Sequence, residues 1–219
     1  MSRNMLRNFS KFLICSCIGY SKFDWSKVIF CDEACIWFGK TGRMYVRRPR
    51  GKHIAYKDEY VAKYEHHGEK INIIGFITVH RMGSIEIFDE NMDRIKLKKL
   101  LDNNLLSTAR KYYPNEQWYF LHDNDKKFKS GMVAQWCHNN GVTVLDFPPY
   151  SPDLNPIENV WAYLKYTITS LNPKNVDELR KLVVSEWGKI PLKKLQNCIK
   201  SMPKRCQAVI ANNGYKTKY

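Results

Sequence analysis

The chain is short of acid: 21 aspartates and glutamates stand against 36 lysines and arginines in 219 residues, for a net charge of +15. That balance disfavours an acidic small molecule as ligand and favours a polyanion such as nucleic acid, although charge alone does not separate DNA from RNA or an anionic membrane surface. Long apolar runs are also missing. Nothing approaches the roughly 20 apolar residues that a membrane-spanning helix needs. The opening "MSRNMLRNFSKFLICSCIGY" places basic residues before an apolar run, as a secretory signal does, but the run is short, carries cysteines and has no small-residue cleavage pattern. It reads as a buried segment or a remnant of something longer. Paired cysteines are absent too. The seven are odd in number and scattered, which argues against a disulfide framework and makes a reducing compartment the default expectation. Cys15–Cys17 and Cys31–Cys35 lack the paired two-residue spacing and a matching Cys/His pair, and His66 and His67, adjacent on the chain, cannot share a helical face. Repeats and low-complexity tracts are likewise lacking.

What is present suits a single compact domain, with 44% hydrophobic and 13% aromatic residues to build a core. "KVIFCDE" (Lys27 to Glu33) is a short apolar run ending in carboxylates, the pattern of a buried strand. "CIWFGKTGRMYVRR" and "INIIGFITVHRMGSIEIFD" each read as two strand pieces around a turn, which predicts an antiparallel meander. After Asp93 as a cap, Leu97, Leu101, Leu105, Ala109 and Tyr112 fall near one helical face, and Pro114 ends the segment. "WYFLHD" is a further buried strand, Ser130 to Asn140 a helix stopped by Gly141, and "VTVLDF" a third short strand. Asn155 as cap and Pro156 at the first helical position open a helix with Ile157, Val160, Trp161 and Leu164 on its apolar stripe. This order predicts a mixed α/β sheet flanked by helices.

Three carboxylates occupy telling positions. Asp32 and Asp123 each end an apolar strand, and Glu158 lies in the first turn of a helix. Should they converge at one sheet edge, their charges would repel unless a cation lay between them, and hard oxygen donors select Mg²⁺ or Mn²⁺. An ordinary explanation competes. Asn155-Pro-Ile-Glu158 is also a capping-box pattern, in which Glu158 would reach back to the Asn155 amide. Aspartates at strand ends are common turn formers, and Glu33 or Asp125 could replace the favoured residues.

"VIFCDE", "FLHDND" and "SPDLNPIENVW" resemble, in order, the signature blocks of the mariner superfamily of DDE transposases, most closely its Tc-type branch. The 34 residues between Asp123 and Glu158 match that branch's spacing, and "SMPKRCQAVIANNGYKTKY" resembles its usual ending. The resemblance covers Asp24 to the C-terminus. It implies a ribonuclease H-like fold, with Asp32, Asp123 and Glu158 as the catalytic and metal-binding triad. It implies two divalent ions that activate water, and later a DNA 3′-hydroxyl, for attack on phosphodiesters. Double-stranded DNA as transposon end and target, a homodimer on that DNA and, in a eukaryotic host, action in the nucleus are implied as well. Cys31, Ala34 and His122 depart from the family's usual Ser, Ser and Gln. Lys126 and Phe128 stand where a Pro and a His are usual. Family members carry a paired helix-turn-helix region ahead of the first block, and 31 residues precede Asp32 here. The expectation is therefore that recognition of specific transposon ends is missing. On this reading residues 1–23 are a remnant or linker, 24–170 the catalytic domain, and 171–219 a basic helical extension packed on it. The rival is a catalytically inactive or domesticated DNA-binding protein of the same fold.

Basic residues supply the candidate DNA contacts. Arg43, Arg47, Arg48, Arg50 and Lys52, with Lys40, form an acid-free stretch that could track a DNA backbone or be a solvated loop. Lys126, Lys127 and Lys129 come just after Asp123, where substrate phosphates would arrive. Trp118, Trp136 and Trp161 read as core.

Overall fold

A computed structural model describes residues 17, 19–20, 22–38, 69–89, 92–123, 125–146, 151–213 and 217. Its centre is a five-stranded sheet in the order β3-β2-β1-β4-β5, built from β1 (Val28–Trp37), β2 (Lys70–Ile77), β3 (Met82–Phe88), β4 (Tyr119–Leu121) and β5 (Thr143–Val144). The first three strands form the expected antiparallel meander, whereas β4 runs parallel to β1 and β5 parallel to β4. Of the first predicted hairpin, Cys35 to Trp37 belong to β1 and the part from Gly39 onward lies outside the described residues. The "VTVLDF" strand is shorter than its pattern predicts. It pairs only over Thr143–Val144, and Leu145 adds one further bond to the Phe120 carbonyl at 2.8 Å.

Both faces of the sheet are covered, which is why β1 is apolar almost throughout its first half. One face carries Ile29, Cys31, Ile74, Phe76 and Phe120. Against it pack α1 (Arg94–Leu100), a π-helical stretch (Leu101–Leu105), α2 (Leu106–Tyr112) and α3 (Gly131–Asn139). The π stretch has a physical reason. Leu97, Leu101, Leu105, Ala109 and Tyr113 are all buried and recur every four residues. On a helix of 3.6 residues per turn that repeat drifts by about 40° at each step. A wider π turn rotates the stripe back toward the sheet. The last core residue is thereby Tyr113 rather than Tyr112, which is only half-buried. Asp93 caps this helical run as expected, its carboxylate accepting from the Ile95 and Lys96 amides at 2.8 Å each.

The opposite face carries Val28, Phe30, Ile36, Ile71, Ile73, Ile77 and Leu121. It is covered by α4 (Ile157–Leu171), α5 (Val176–Lys189), α6 (Leu192–Lys200) and α7 (Met202–Ala211). The stripe of α4 is Ile157, Val160, Trp161, Leu164 and Ile168, all buried, and Asn172 ends the helix in the left-handed conformation at φ 49°. Trp161 stacks on Trp187 of α5 with ring centroids 4.9 Å apart. Gly75 makes that stack possible: a Cβ there would come within 2.6 Å of the Trp161 ring and 2.9 Å of Trp187.

Candidate active site

Strand pleating sorts the acidic residues. Along β1, Val28, Phe30 and Ile36 point to the α4 face and Ile29 and Cys31 to the other. Asp32 therefore shares the α4 face, and Glu33 points the opposite way. β1 and β4 are in parallel register through Phe30 and Leu121. Counting two residues onward along each strand brings Asp32 level with Asp123. Leu121 faces α4, so Asp123 has the same parity. Glu158 enters from above on the first turn of α4, three residues before Trp161.

The three carboxylates differ in depth. Asp32 is 7% exposed at the floor, while Asp123 and Glu158 are exposed at the mouth. Burial, then the charges of Glu158 and Asp123, push the Asp32 carboxyl up to about 8. The Glu33 amide and the Trp161 indole N–H oppose that rise. The indole nitrogen is buried without a hydrogen bond of ordinary geometry, so its help to Asp32 is weak. Asp123 is raised by partial desolvation and by Asp125, and Glu158 by partial desolvation and Asp123, with Lys165 pulling Glu158 down. Among the described residues no three acidic, histidine or cysteine side chains are drawn close enough to close on one ion. As a donor set, three carboxylates on one face, one of them buried, fit a hard divalent cation.

Specific bonds bear on the competing explanations, and the Asp123 carboxylate itself takes part in a turn by accepting from the Asp125 amide. The Asn155 amide donates to the Pro152 carbonyl at 3.0 Å, so it does not depend on Glu158 for a partner. Asn155 itself caps the helix, its Oδ1 accepting from the Ile157 amide at 3.3 Å, and Pro156 is already helical at φ −66° and ψ −19°. Asp125 is a turn former: its carboxylate accepts from the Lys127 amide at 3.0 Å. Glu33 is held by Lys127, whose Nζ lies 2.6 and 2.7 Å from its two oxygens.

The segment after Asp123 is closed by its own contacts. The His122 ring stacks on Phe128 at 4.2 Å and 11°, and its Nδ1–H donates to the Asp123 carbonyl. Burial holds His122 down at about 4, which keeps it neutral near pH 7. Ser130 caps α3 and closes the turn, its hydroxyl donating to the Lys127 carbonyl at 2.8 Å. Of the candidate DNA contacts, Lys126 and Lys129 are exposed, whereas Lys127 is spoken for by Glu33. Lys40, Arg43, Arg47, Arg48, Arg50 and Lys52 lie outside the described residues. A cavity of about 710 Å³ opens elsewhere, beside the β2–β3 turn, lined by His80, Arg81, Lys111, Tyr112 and Trp187 among others, and it contains none of the three carboxylates. Two contributors escaped sequence reasoning. Gly75 and the Glu33–Lys127 pair become visible only through strand register, although Glu33 beside Asp32 signals a residue on the opposite face.

Comparison with known proteins supplies the family and the fold. The model of the DDE superfamily endonuclease family matches residues 27–180. The Tcb1 transposase of Caenorhabditis briggsae is 34% identical over 198 residues, covering 90% of this chain and 71% of that protein. The Tc1 transposase of Caenorhabditis elegans is 34% identical over 206 residues, covering 91% and 73%. In three dimensions, the Mos1 transposase catalytic domain solved with raltegravir and Mn superposes at a TM-score of 0.75 and 16% identity, over 100% of this chain and 98% of that one. The Mos1 paired-end complex solved with Mg gives 0.78 and 18% identity, with 65% of its chain covered. These structures share the ribonuclease H-like fold.

Proposed function

The chain belongs to the DDE superfamily endonuclease family, as a transposase catalytic domain of the Tc1/mariner type, and from that premise we propose that it cuts and rejoins DNA strands at Asp32, Asp123 and Glu158. The observation that carries the assignment is the buried Asp32 carboxyl on the α4 face of β1, level with Asp123 across the β1–β4 register and beneath Glu158 on the first turn of α4, whose charges help to raise it. Such a floor is unfavourable for an empty site and suited to a cation. Asp32 would hold Mg²⁺ or Mn²⁺ from below, and Asp123 and Glu158 from the mouth, with two ions as the proposed complement. When bound, a divalent ion lowers the pKa of water and polarises a phosphate oxygen for in-line displacement. The chain's own residues prepare that event. Asp32 would hold the cation in its ionised form, the Trp161–Trp187 stack packs the same sheet face behind it, and the exposed Lys126 and Lys129 would meet the incoming phosphates. The proposal extends to duplex DNA as transposon end and target, to a homodimer on it, and to the nucleus where the host is eukaryotic. The described residues contain no helix long and apolar enough to cross a membrane.

Glu158→Gln tests the assignment. Because Asn155 caps the helix without it, the thermal midpoint should hold within a degree or two, while Mn²⁺-dependent nicking of a supercoiled plasmid is lost. Retained nicking would remove Glu158 from the site. Calorimetric Mn²⁺ titration of Asp123→Asn should likewise show weaker binding than the parent, and equal affinity would remove Asp123.

A further inference from the structure

We propose that the Glu33–Lys127 ion pair is a brace that positions Asp123 against Asp32, so that Lys127 serves the reaction through Asp123 and not by touching DNA. The brace rests on the proposed metal site. Asp123 lies two residues beyond the last paired residue of β4, so ladder hydrogen bonds do not hold it. The turn on its C-terminal side must hold it instead. That turn, from Asp125 to Ser130, is closed internally by the Phe128 and Lys129 amides donating to the Asp125 carbonyl at 3.1 and 3.3 Å. It is tied to the rest of the protein at two points. Phe128, 3% exposed, stacks under His122 and enters the core beneath the sheet. Lys127 reaches across to Glu33, the residue next to Asp32 on β1. The links close a ring that runs from Asp32 to Glu33, through Lys127 and its turn, to Asp123 and back across the β1–β4 register.

The pair is placed to act as structure. Its side chains are only 17% and 25% exposed, and the Lys127 ammonium meets both oxygens of one carboxylate with Asp125 3.8 Å away. Binding a DNA phosphate would require Lys127 to abandon Glu33 and leave that carboxylate half-buried and alone, which is the costly way to break such a pair. Lys126 and Lys129, exposed on either side of it, carry no such obligation. Supporting shells of this kind commonly change metal affinity by tenfold or more when broken.

The experiment compares the full chain with Glu33→Gln, Lys127→Met, the double variant and Lys127→Arg. Each neutralising single variant should weaken Mn²⁺ affinity about tenfold or more, and the double should cost no more than either single, because one interaction is lost in all three. The double also leaves no lone buried charge, so it folds where a single variant fails. Lys127→Arg should keep most of the affinity, and the salt dependence of DNA binding should be unchanged throughout. A drop of about 1 in the salt slope for Lys127→Met, with Mn²⁺ affinity intact, would make Lys127 a phosphate contact and overturn the brace. Additive losses, or a silent Glu33→Gln, would overturn it too. Should the parent bind no Mn²⁺, the metal reading fails, and the brace is decided by amide hydrogen exchange from Asp125 to Ser130 in metal-free protein. Faster exchange in both single variants supports it; unchanged exchange refutes it.

Discussion

Asp32 is where the fold gives up stability, in exchange for the proposed metal site. An aspartate normally titrates near 3.8, and the fold holds this one at about 8. Below about pH 4 the side chain is neutral in both folded and unfolded chains, and its burial costs little. Between about 4 and 8 the unfolded chain releases the proton and the folded one retains it, so stability falls steadily as pH rises. Above 8 both forms are ionised and the penalty is constant. A penalty of this size is on the order of several kcal/mol. Asp32→Asn removes the titration, so metal-free Asp32→Asn should melt higher than the parent at pH 8, with the difference shrinking toward pH 4. Thermal melts across that range check it, and a constant difference would show that the carboxyl does not titrate in this window. Mn²⁺ binding must expel the same proton, so affinity in the parent should rise with pH up to about 8.

Gly75 sets how elements meet around that residue. It is the β2 partner of Asp32, and its missing side chain lets the Trp161 and Trp187 rings settle on the sheet. Trp161 is one turn from Glu158, so the glycine controls how far α4, and with it Glu158, stands from Asp32. Gly75→Ala should push the rings outward, destabilise by about 1–3 kcal/mol as overpacking does, and slow nicking beyond what the stability loss explains. Denaturant midpoints and nicking rates measure the two effects, and normal nicking would show that α4 tolerates the shift. Little of this is legible in the sequence. Apolar runs and turn residues reveal the meander, β4 and the cap at Asn155, because those depend on neighbours in sequence. Asp32 is preferred to Glu33 in the sequence only through the resemblance, since both end the same run and the pleat that separates them depends on strand register. Lys127 reads as one of three free cations for the same reason: its partner lies 94 residues away on another strand. The π turn in the Leu97 to Tyr113 helix hides in a four-residue repeat that looks, by spacing alone, like an ordinary stripe.

At the scale of the molecule, charge and site have to be considered together. The chain carries +15 overall, and the stretch from Leu171 to Tyr219 holds 11 basic and 3 acidic residues, which is +8 of it. The helices of that stretch, which hold eight of those basic residues and all three acidic ones, cover the sheet face that bears Asp32, so their net positive charge and the carboxylates belong to one side of the fold. A field of that sign draws phosphates toward a cluster that would otherwise repel them, and the gain from releasing DNA counterions shrinks as salt rises. Binding to duplex DNA should therefore fall linearly on a log–log plot against salt. The exposed lysines beside Asp123 should each account for about one unit of slope, so Lys126→Ala and Lys129→Ala together lower it by about two. Titrations of one duplex at several salt concentrations, in the presence of Ca²⁺ to prevent cleavage, measure the slope directly. If the double variant keeps the parent's slope, the phosphates pass elsewhere on the basic surface, and the approach to Asp123 from the Lys126–Lys129 side is wrong.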